Sequence, residues 1–286
     1  MTTAHINNKP HIGNTAHAGN TMSQIDKEWQ RFTPSERIAR FVIYLCLVSA
    51  IVWSWQTVEV IPEFLYDAPA QFADMFQRMV PLDYAYYPEA IHDAMIETLN
   101  IATLGTLFTL VFAIPLALLN APNITPNKTL NWIAQVFLVS SRSVNSLVWA
   151  LLFIALFGPG ILAGIMAIAI RSIGFVGKLL AEALAEVNVG PIEALRATGA
   201  SWMSILLKGY WPQVMPAFYS IVLFRWDINV RESAVLGLVG AGGIGVILND
   251  AQNLFEWQKV AMVLVSIFVV VIVAEAVVIH IRNKLI

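Results

Sequence analysis

The chain has 286 residues, of which 58% are hydrophobic and 13% charged, with a net charge of −2 and a single cysteine. Soluble domains carry about 25% charged residues, so this composition, with a mean hydropathy of +0.68, excludes a water-soluble globular class. The lone Cys46 excludes an intrachain disulfide, and the apolar runs lack the short alternating pattern of a membrane barrel.

A helix needs about 20 mostly apolar residues to cross the hydrocarbon core. Runs at 38–60, 91–119, 130–157, 160–185, 213–237 and 258–282 meet this requirement, so the predicted fold is an all-α integral membrane protein with six transmembrane helices. Ahead of them, residues 1–27 are rich in Asn, Thr, Gly and His, and are expected to be a disordered tail. His5, His11 and His17 match no familiar metal-site spacing, and no metal site is expected. Residues 28–37 read as a short interfacial helix with Trp29 and Phe32 on the inner leaflet, leading into the first span over 38–60. That span is longer than a signal-peptide core and has no small-residue cleavage site, so it is read as retained. Its Trp53 and Trp55 suit the far headgroup region.

Residues 61–90 form an external amphipathic segment. Phe72, Met75, Phe76 and Met79 recur at helical spacing, predicting a helix over 68–79 on the outer surface, with contact to another protein as the functional alternative. Residues 91–286 hold the other five spans. The second carries Pro115, where a kink is expected, and 120–128 is a tight turn whose sequons at Asn123 and Asn127 are discounted as cytoplasmic.

The third span is interrupted by the polar run Ser140–Ser146, which includes Arg142, Ser143 and Asn145 near the expected midplane. The fourth contains Arg171. The fifth contains Arg225, Asp227, Asn229, Arg231 and Glu232, and the sixth Glu275. Arg225, Asn229 and Glu232 share one helical face, whereas Asp227 and Arg231 form an i,i+4 pair on a neighbouring one. No Asp or Glu occurs between Thr98 and Ala181. Partners for Arg142 and Arg171 must therefore come from other spans, another subunit or a passing anion. A guanidinium offers a planar fork of donors that stays charged at cellular pH. Arg142, Ser143, Asn145, Arg225, Asn229 and Arg231 are accordingly candidates for an anion pathway, with structural ion pairing as the alternative.

Between spans four and five, residues 186–212 form a knob. Pro191 suits the first position of a helix whose first turn holds Glu193, and Gly199 offers a stop. Ser201 can cap a second helix through Leu207 that stops at Gly209, with Pro212 opening the next span. Lys and Arg gather at Lys9, Lys27, Arg31, Arg37, Arg40, Lys128, Lys178, Arg196, Lys208, Arg282 and Lys284, whereas the opposite loops hold Arg78 beside five acids. The knob and both termini are therefore expected in the cytoplasm. Gly240, Gly242 and Gly245 spell a dinucleotide-binding pattern, but no strand–helix unit surrounds it. It is read as a close-packed turn at the outer end of span five. No Walker lysine, HExxH or GxSxG motif is present, so no enzymatic activity is expected of this chain.

The knob residues Glu193-Ala194-Leu195, Gly199 and Pro212 resemble the EAA loop of ABC-importer permeases. EALRATGAS from Glu193, INVRESAVLGLVGAGGIG over 228–245 and LVWALLF over 147–153 are similar to the phosphonate/phosphite-uptake branch, and the likeness covers roughly residues 90–286. The resemblance implies a type I ABC-importer permease fold in the bacterial inner membrane. It implies a homodimer, two ABC ATPase subunits that carry the ATP and Mg, and an external phosphonate-binding protein, with no nucleic-acid partner. It makes Glu193, Ala194, Leu195, Gly199, Ala200, Ser201 and Pro212 the ATPase-coupling residues. Two alternatives stay open: the same machine carrying methionine or sulfonate, and an ion-coupled secondary carrier.

Overall fold

The computed structural model describes residues 34–58, 62–125 and 127–285. The expected tail at 1–27 with its histidines, Lys9 and Lys27 lies outside the described residues, as do Trp29, Arg31 and Phe32. The chain divides into two units, Met1–Pro69 and Ala70–Ile286. In the first, α1 (Pro34–Thr57) is continuous from Pro34, so the expected border between an interfacial helix and the span at 37/38 is absent. Proline is tolerated in a first helical turn because its missing N–H has no partner there. α2 (Pro62–Met79) begins in this unit, six residues ahead of the predicted start, and passes through Pro69.

In the second unit a π-helical turn, Tyr87–Ile91, leads into α3 (His92–Asn120). There follow α4 (Lys128–Ser143), α5 (Ser146–Phe157), α6 (Ile161–Ala185), α7 (Val189–Ala197), α8 (Trp202–Ile205) and α9 (Trp211–Leu236). A short 3₁₀ turn, α10 (Ile244–Asn253) and α11 (Trp257–Leu285) complete it. Among the described residues, helices α1, α3, α6 and α11 are each long and apolar enough to cross a membrane, and counting each of the bent pairs α4–α5 and α8/α9–α10 as one span gives six.

Helix α6 is the centre: 56% of its apolar window is buried, against 39% for α3 and 28% for α11. In lipid there is little hydrophobic gain from helix association, so close packing of small residues must hold the bundle. A Cβ on Gly105 of α3 would lie 2.7 Å from Ile168 Cγ2 of α6, and one on Gly177 would lie 2.5 Å from Leu138 Cδ2 of α4. Buried Thr98, Thr106 and Thr109 return their hydroxyls to carbonyls four residues back, so they enter the α3 interface without orphaned donors.

Three expectations are corrected. The run 130–157 is not one helix: α4 and α5 meet at 91°. Asn145 is extended (φ −66°, ψ 147°) and caps α5 by accepting from Leu147 N at 3.2 Å, so the polar run marks a helix end, not the midplane of a straight span. Nor does Gly209 stop the second knob helix. α8 continues through a π-helical turn, Leu206–Tyr210, directly into α9. In that turn Trp211 N bonds to Leu206 O, and Pro212 follows within the first turn of α9, where a missing N–H is tolerated. Finally, α7 starts before Pro191, because Asn188 Oδ1 accepts from Gly190 N at 3.0 Å and caps a helix from Val189.

Candidate functional site

The knob is a short, capped elbow. Gly199 has φ +76°, and the turn after α7 closes with Ala200 N to Leu195 O at 3.1 Å and Gly199 N to Arg196 O at 3.0 Å. That left-handed closure favours glycine. Ser201 caps α8 by accepting from Ser204 N at 3.4 Å, as expected. Ile192 and Ile205 are buried and anchor the elbow on Leu180, Leu184, Tyr210 and Val214. Glu193, Ala194, Ala197, Gly199, Ser201 and Pro212 are exposed, whereas Leu195 and Ala200 are half-buried against the same cluster. Trp202 and Met203 are also exposed, at 56% and 54%. Sequence reasoning passed over both, along with Gln213, whose carboxamide ties the start of α7 to α9.

A second constellation lies inside the bundle. Glu232 of α9 gives one carboxylate oxygen to Arg171 of α6 and the other to Arg225, the latter at 3.3 Å. Arg225 is almost wholly enclosed (4% exposed). Its Nε donates to Ser172 Oγ at 2.8 Å, and its guanidinium lies 5.6 Å from the centre of the Phe175 ring. Ser172 also donates to Asn229 Oδ1 at 3.2 Å, and Asn229 Nδ2 donates to Thr106 at 2.8 Å. Three helices thus share one polar chain, α3 through Thr106, α6 through Ser172 and α9 through Arg225 and Asn229. Buried polar groups satisfied in this way fix the mutual register of the helices.

The other candidates are placed differently. Arg231 pairs with Asp227, as the i,i+4 spacing predicts, and is itself half-exposed. Asp227 is buried, and its second oxygen, Oδ1, has no partner among the described residues. Arg142, Ser143 and Asn145 gather at the α4–α5 break. Ser143 returns its hydroxyl to Val139 O at 2.7 Å, Asn145 is committed to its cap, and Arg142 is exposed without an ion pair or side-chain hydrogen bond among the described residues. Ser146, the first residue of α5, lies 3.5 Å from Arg171 and joins the break to the charge cluster. The partner of Arg171 comes from another span, 61 residues on.

At the opposite end of the bundle from the knob, the glycine turn is tightly seated. Gly240, Gly242 and Gly243 all have positive φ. Gly243 N donates to Glu97 at 2.9 Å, Ile244 N to Thr98 Oγ1 at 2.8 Å, and Gly160 N to Gly240 O at 3.0 Å. A Cβ on Gly242 would stand 2.7 Å from Glu97. The turn therefore clamps α9 and α10 onto the starts of α3 and α6. Beside it opens a cavity of about 530 Å³ bordered by Asp93 and Glu97.

In the second unit α6 packs against α3, α4, α5 and α9, and the elbow lies exposed between α6 and α9. Residues 98–286 match the model of the binding-protein-dependent transport system inner membrane component, and the chain belongs to that family of ABC-importer permeases. It is 34% identical, over 88% of its length, to the phosphate-import permease protein PhnE of Mycolicibacterium smegmatis, of which it covers 47%. It thus spans about half of that relative. It is 38% identical to the phosphite transport system permease protein PtxC of Stutzerimonas stutzeri, over 71% of this chain and 74% of that one. It is 36% identical to the putative phosphite transport system permease protein HtxC of the same organism, over 83% and 84%. Among solved structures, an inward-facing methionine ABC transporter, MetNI, matches with a TM-score of 0.65 at 23% identity, over 72% of this chain and all of the matched chain. An alginate importer matches with 0.59 at 16%, over 87% and 98%. At these identities the structures speak for a type I importer permease fold and not for a cargo.

Proposed function

We propose that this chain is the permease subunit of an ATP-driven importer of phosphonate or a related phosphorus oxyanion such as phosphite. Two copies form the pathway, two ATPase subunits carrying ATP and Mg dock on the elbows built from Glu193–Ser201, and an external phosphonate-binding protein delivers the cargo. The elbow and both termini face the cytoplasm, in keeping with the Lys and Arg distribution, and the bundle sits in the bacterial inner membrane. Closure of the ATPase pair pushes on the elbow and switches the spans by rigid-body alternation.

The observation that carries the anion reading is the excess of guanidinium inside the spans. Among the described residues Arg171 and Arg225 share the single carboxylate of Glu232, Arg231 pairs with Asp227, and Arg142 at the α4–α5 break has no ion pair; cationic charge in excess of its partners inside a membrane marks an ion path. The relatives named for phosphate and phosphite support the same choice. Methionine is the weaker reading, because its best structural support is a fold likeness at 23% identity. The test is growth: a host deleted for its own phosphonate and phosphite permeases, given this chain with its ATPase and binding protein, grows on methylphosphonate or phosphite as sole phosphorus source. Growth on neither, with the complex assembled, overturns the assignment.

A further inference from the structure

The Arg171–Glu232–Arg225 cluster is asymmetric in a way that assigns different jobs to its two guanidiniums. Arg225 is 4% exposed and fixed on three sides, by Ser172, by Glu232 and by the Phe175 ring. Arg171 is 29% exposed and, among the described residues, holds only Glu232 and, at 3.5 Å, Ser146 at the α4–α5 break. One carboxylate serves both, so the trio keeps a surplus positive charge. Arg142 adds an exposed guanidinium at the same break, with no ion pair among the described residues.

Building on the oxyanion reading above, we propose that Glu232 is a resident counterion that an incoming oxyanion displaces from Arg171, so that Arg171 is the guanidinium that holds the substrate. Carboxylate and phosphorus oxyanion make the same demand on a guanidinium, two acceptor oxygens set for its fork of donors. Exchanging one for the other never leaves Arg171 unpaired in a low-dielectric interior, which would be strongly unfavourable. Glu232 remains on the immobile Arg225 and returns when the substrate leaves. Because the substrate competes with an anion tethered beside the site at high effective concentration, its net affinity stays low, as transport requires. Arg225, Asn229, Ser172 and Thr106 are then positioning residues that keep Glu232 within reach.

The test measures binding of radiolabelled phosphate, methylphosphonate and sulfate to the nanodisc-embedded complex of this chain with its ATPase, without the binding protein. Glu232→Gln is expected to tighten binding at least tenfold relative to the unmodified complex, and adding Arg171→Gln is expected to erase the gain. An assembled Glu232→Gln complex that binds none of the three anions tighter, or a gain that survives Arg171→Gln, overturns the proposal. If Glu232→Gln does not co-purify with the ATPase, Glu232→Asp carries the same two arms, since it keeps charge on Arg225 but shortens the reach to Arg171. A gain for sulfate with none for either phosphorus compound upholds the exchange and sinks the phosphorus assignment instead.

Discussion

Gln213 and Asn188 hold each other by both ends of one carboxamide: Asn188 N donates to Gln213 Oε1 at 2.9 Å, and Gln213 Nε2 donates back to Asn188 O at 3.3 Å. The same Nε2 also reaches Gly209 O at 2.7 Å inside the π-helical turn. The first residue of the elbow's cap is thereby fastened to the first turn of the span that carries Arg225 and Glu232. On the docking proposed above, a push on α7 would reach α9 through this tie as well as through the continuous α8–α9 helix.

Gln213→Leu removes three hydrogen bonds, two exposed and one part-buried, each contributing about 0.5–1.5 kcal/mol at most, and should leave the bundle assembled. The expected effect is looser coupling: uptake per ATP hydrolysed in proteoliposomes falls severalfold while ATPase docking persists. An unchanged transport-to-hydrolysis ratio would show that the tie transmits nothing.

Two glycines should respond unequally. A Cβ at Gly174 would stand 2.8 Å from Ser141 Oγ, which accepts from Gly174 N and donates to Ile170 O. Gly174→Ala therefore overpacks the α4–α6 contact at a cost of about 1–3 kcal/mol, read as a clear fall in Tm in detergent. At Gly199 an added Cβ meets nothing within 4 Å, and only its φ of +76° resists. Gly199→Ala should cost about 1 kcal/mol confined to the elbow, leaving Tm nearly unmoved. Gly199→Asp, which adds a side chain and a negative charge at the exposed turn of the elbow, is expected to weaken co-purification with the ATPase.

The spans themselves were legible. The fourth apolar run, 160–185, became Ile161–Ala185, and the sixth, 258–282, became Trp257–Leu285, because length and hydropathy are local properties. The elbow's turn was legible through Gly199 and Ser201 for the same reason. The break at Val144–Asn145 was hidden by apolar sequence on both sides, although Asn145 before Leu147 and Val148 is a readable cap signal. α10 was missed because its glycine lead-in obscured the apolar spacing of Ile244, Leu248 and Ala251. The sharing of Glu232 by Arg171 and Arg225 was out of reach, since it depends on the register between α6 and α9, which packing around Ser172 and Asn229 sets.

Thr98→Val keeps the shape of the α3 interface but removes the acceptor of the Ile244 amide. A buried N–H without a partner costs about 1–3 kcal/mol. The expected readout is amide exchange over 243–250 accelerated about tenfold or more, with the elbow's amides unchanged. Equal acceleration at both ends would mean a global loss of stability, contrary to a local clamp.

Removing Arg231 alone strands Asp227, a buried carboxylate that already has one unpartnered oxygen. Arg231→Met should destabilise by about 3 kcal/mol, the low end for breaking a buried pair because Arg231 is half-exposed. Asp227→Asn in the same chain should restore much of it, and a double-mutant cycle followed by thermal unfolding gives the coupling. Additive losses would argue that Arg231 serves something other than its neighbour.

The central claim, that ATP-driven motion of this bundle carries phosphorus oxyanions across the membrane, is tested most directly by accumulation in sealed proteoliposomes. The vesicles contain this chain with its ATPase, the binding protein and labelled methylphosphonate or phosphite outside, and ATP within. The expected result is uphill accumulation that requires internal ATP and disappears with Gly199→Asp in the elbow. Accumulation that ignores ATP, or an assembled complex that hydrolyses ATP with the loaded binding protein yet moves neither compound, would contradict it.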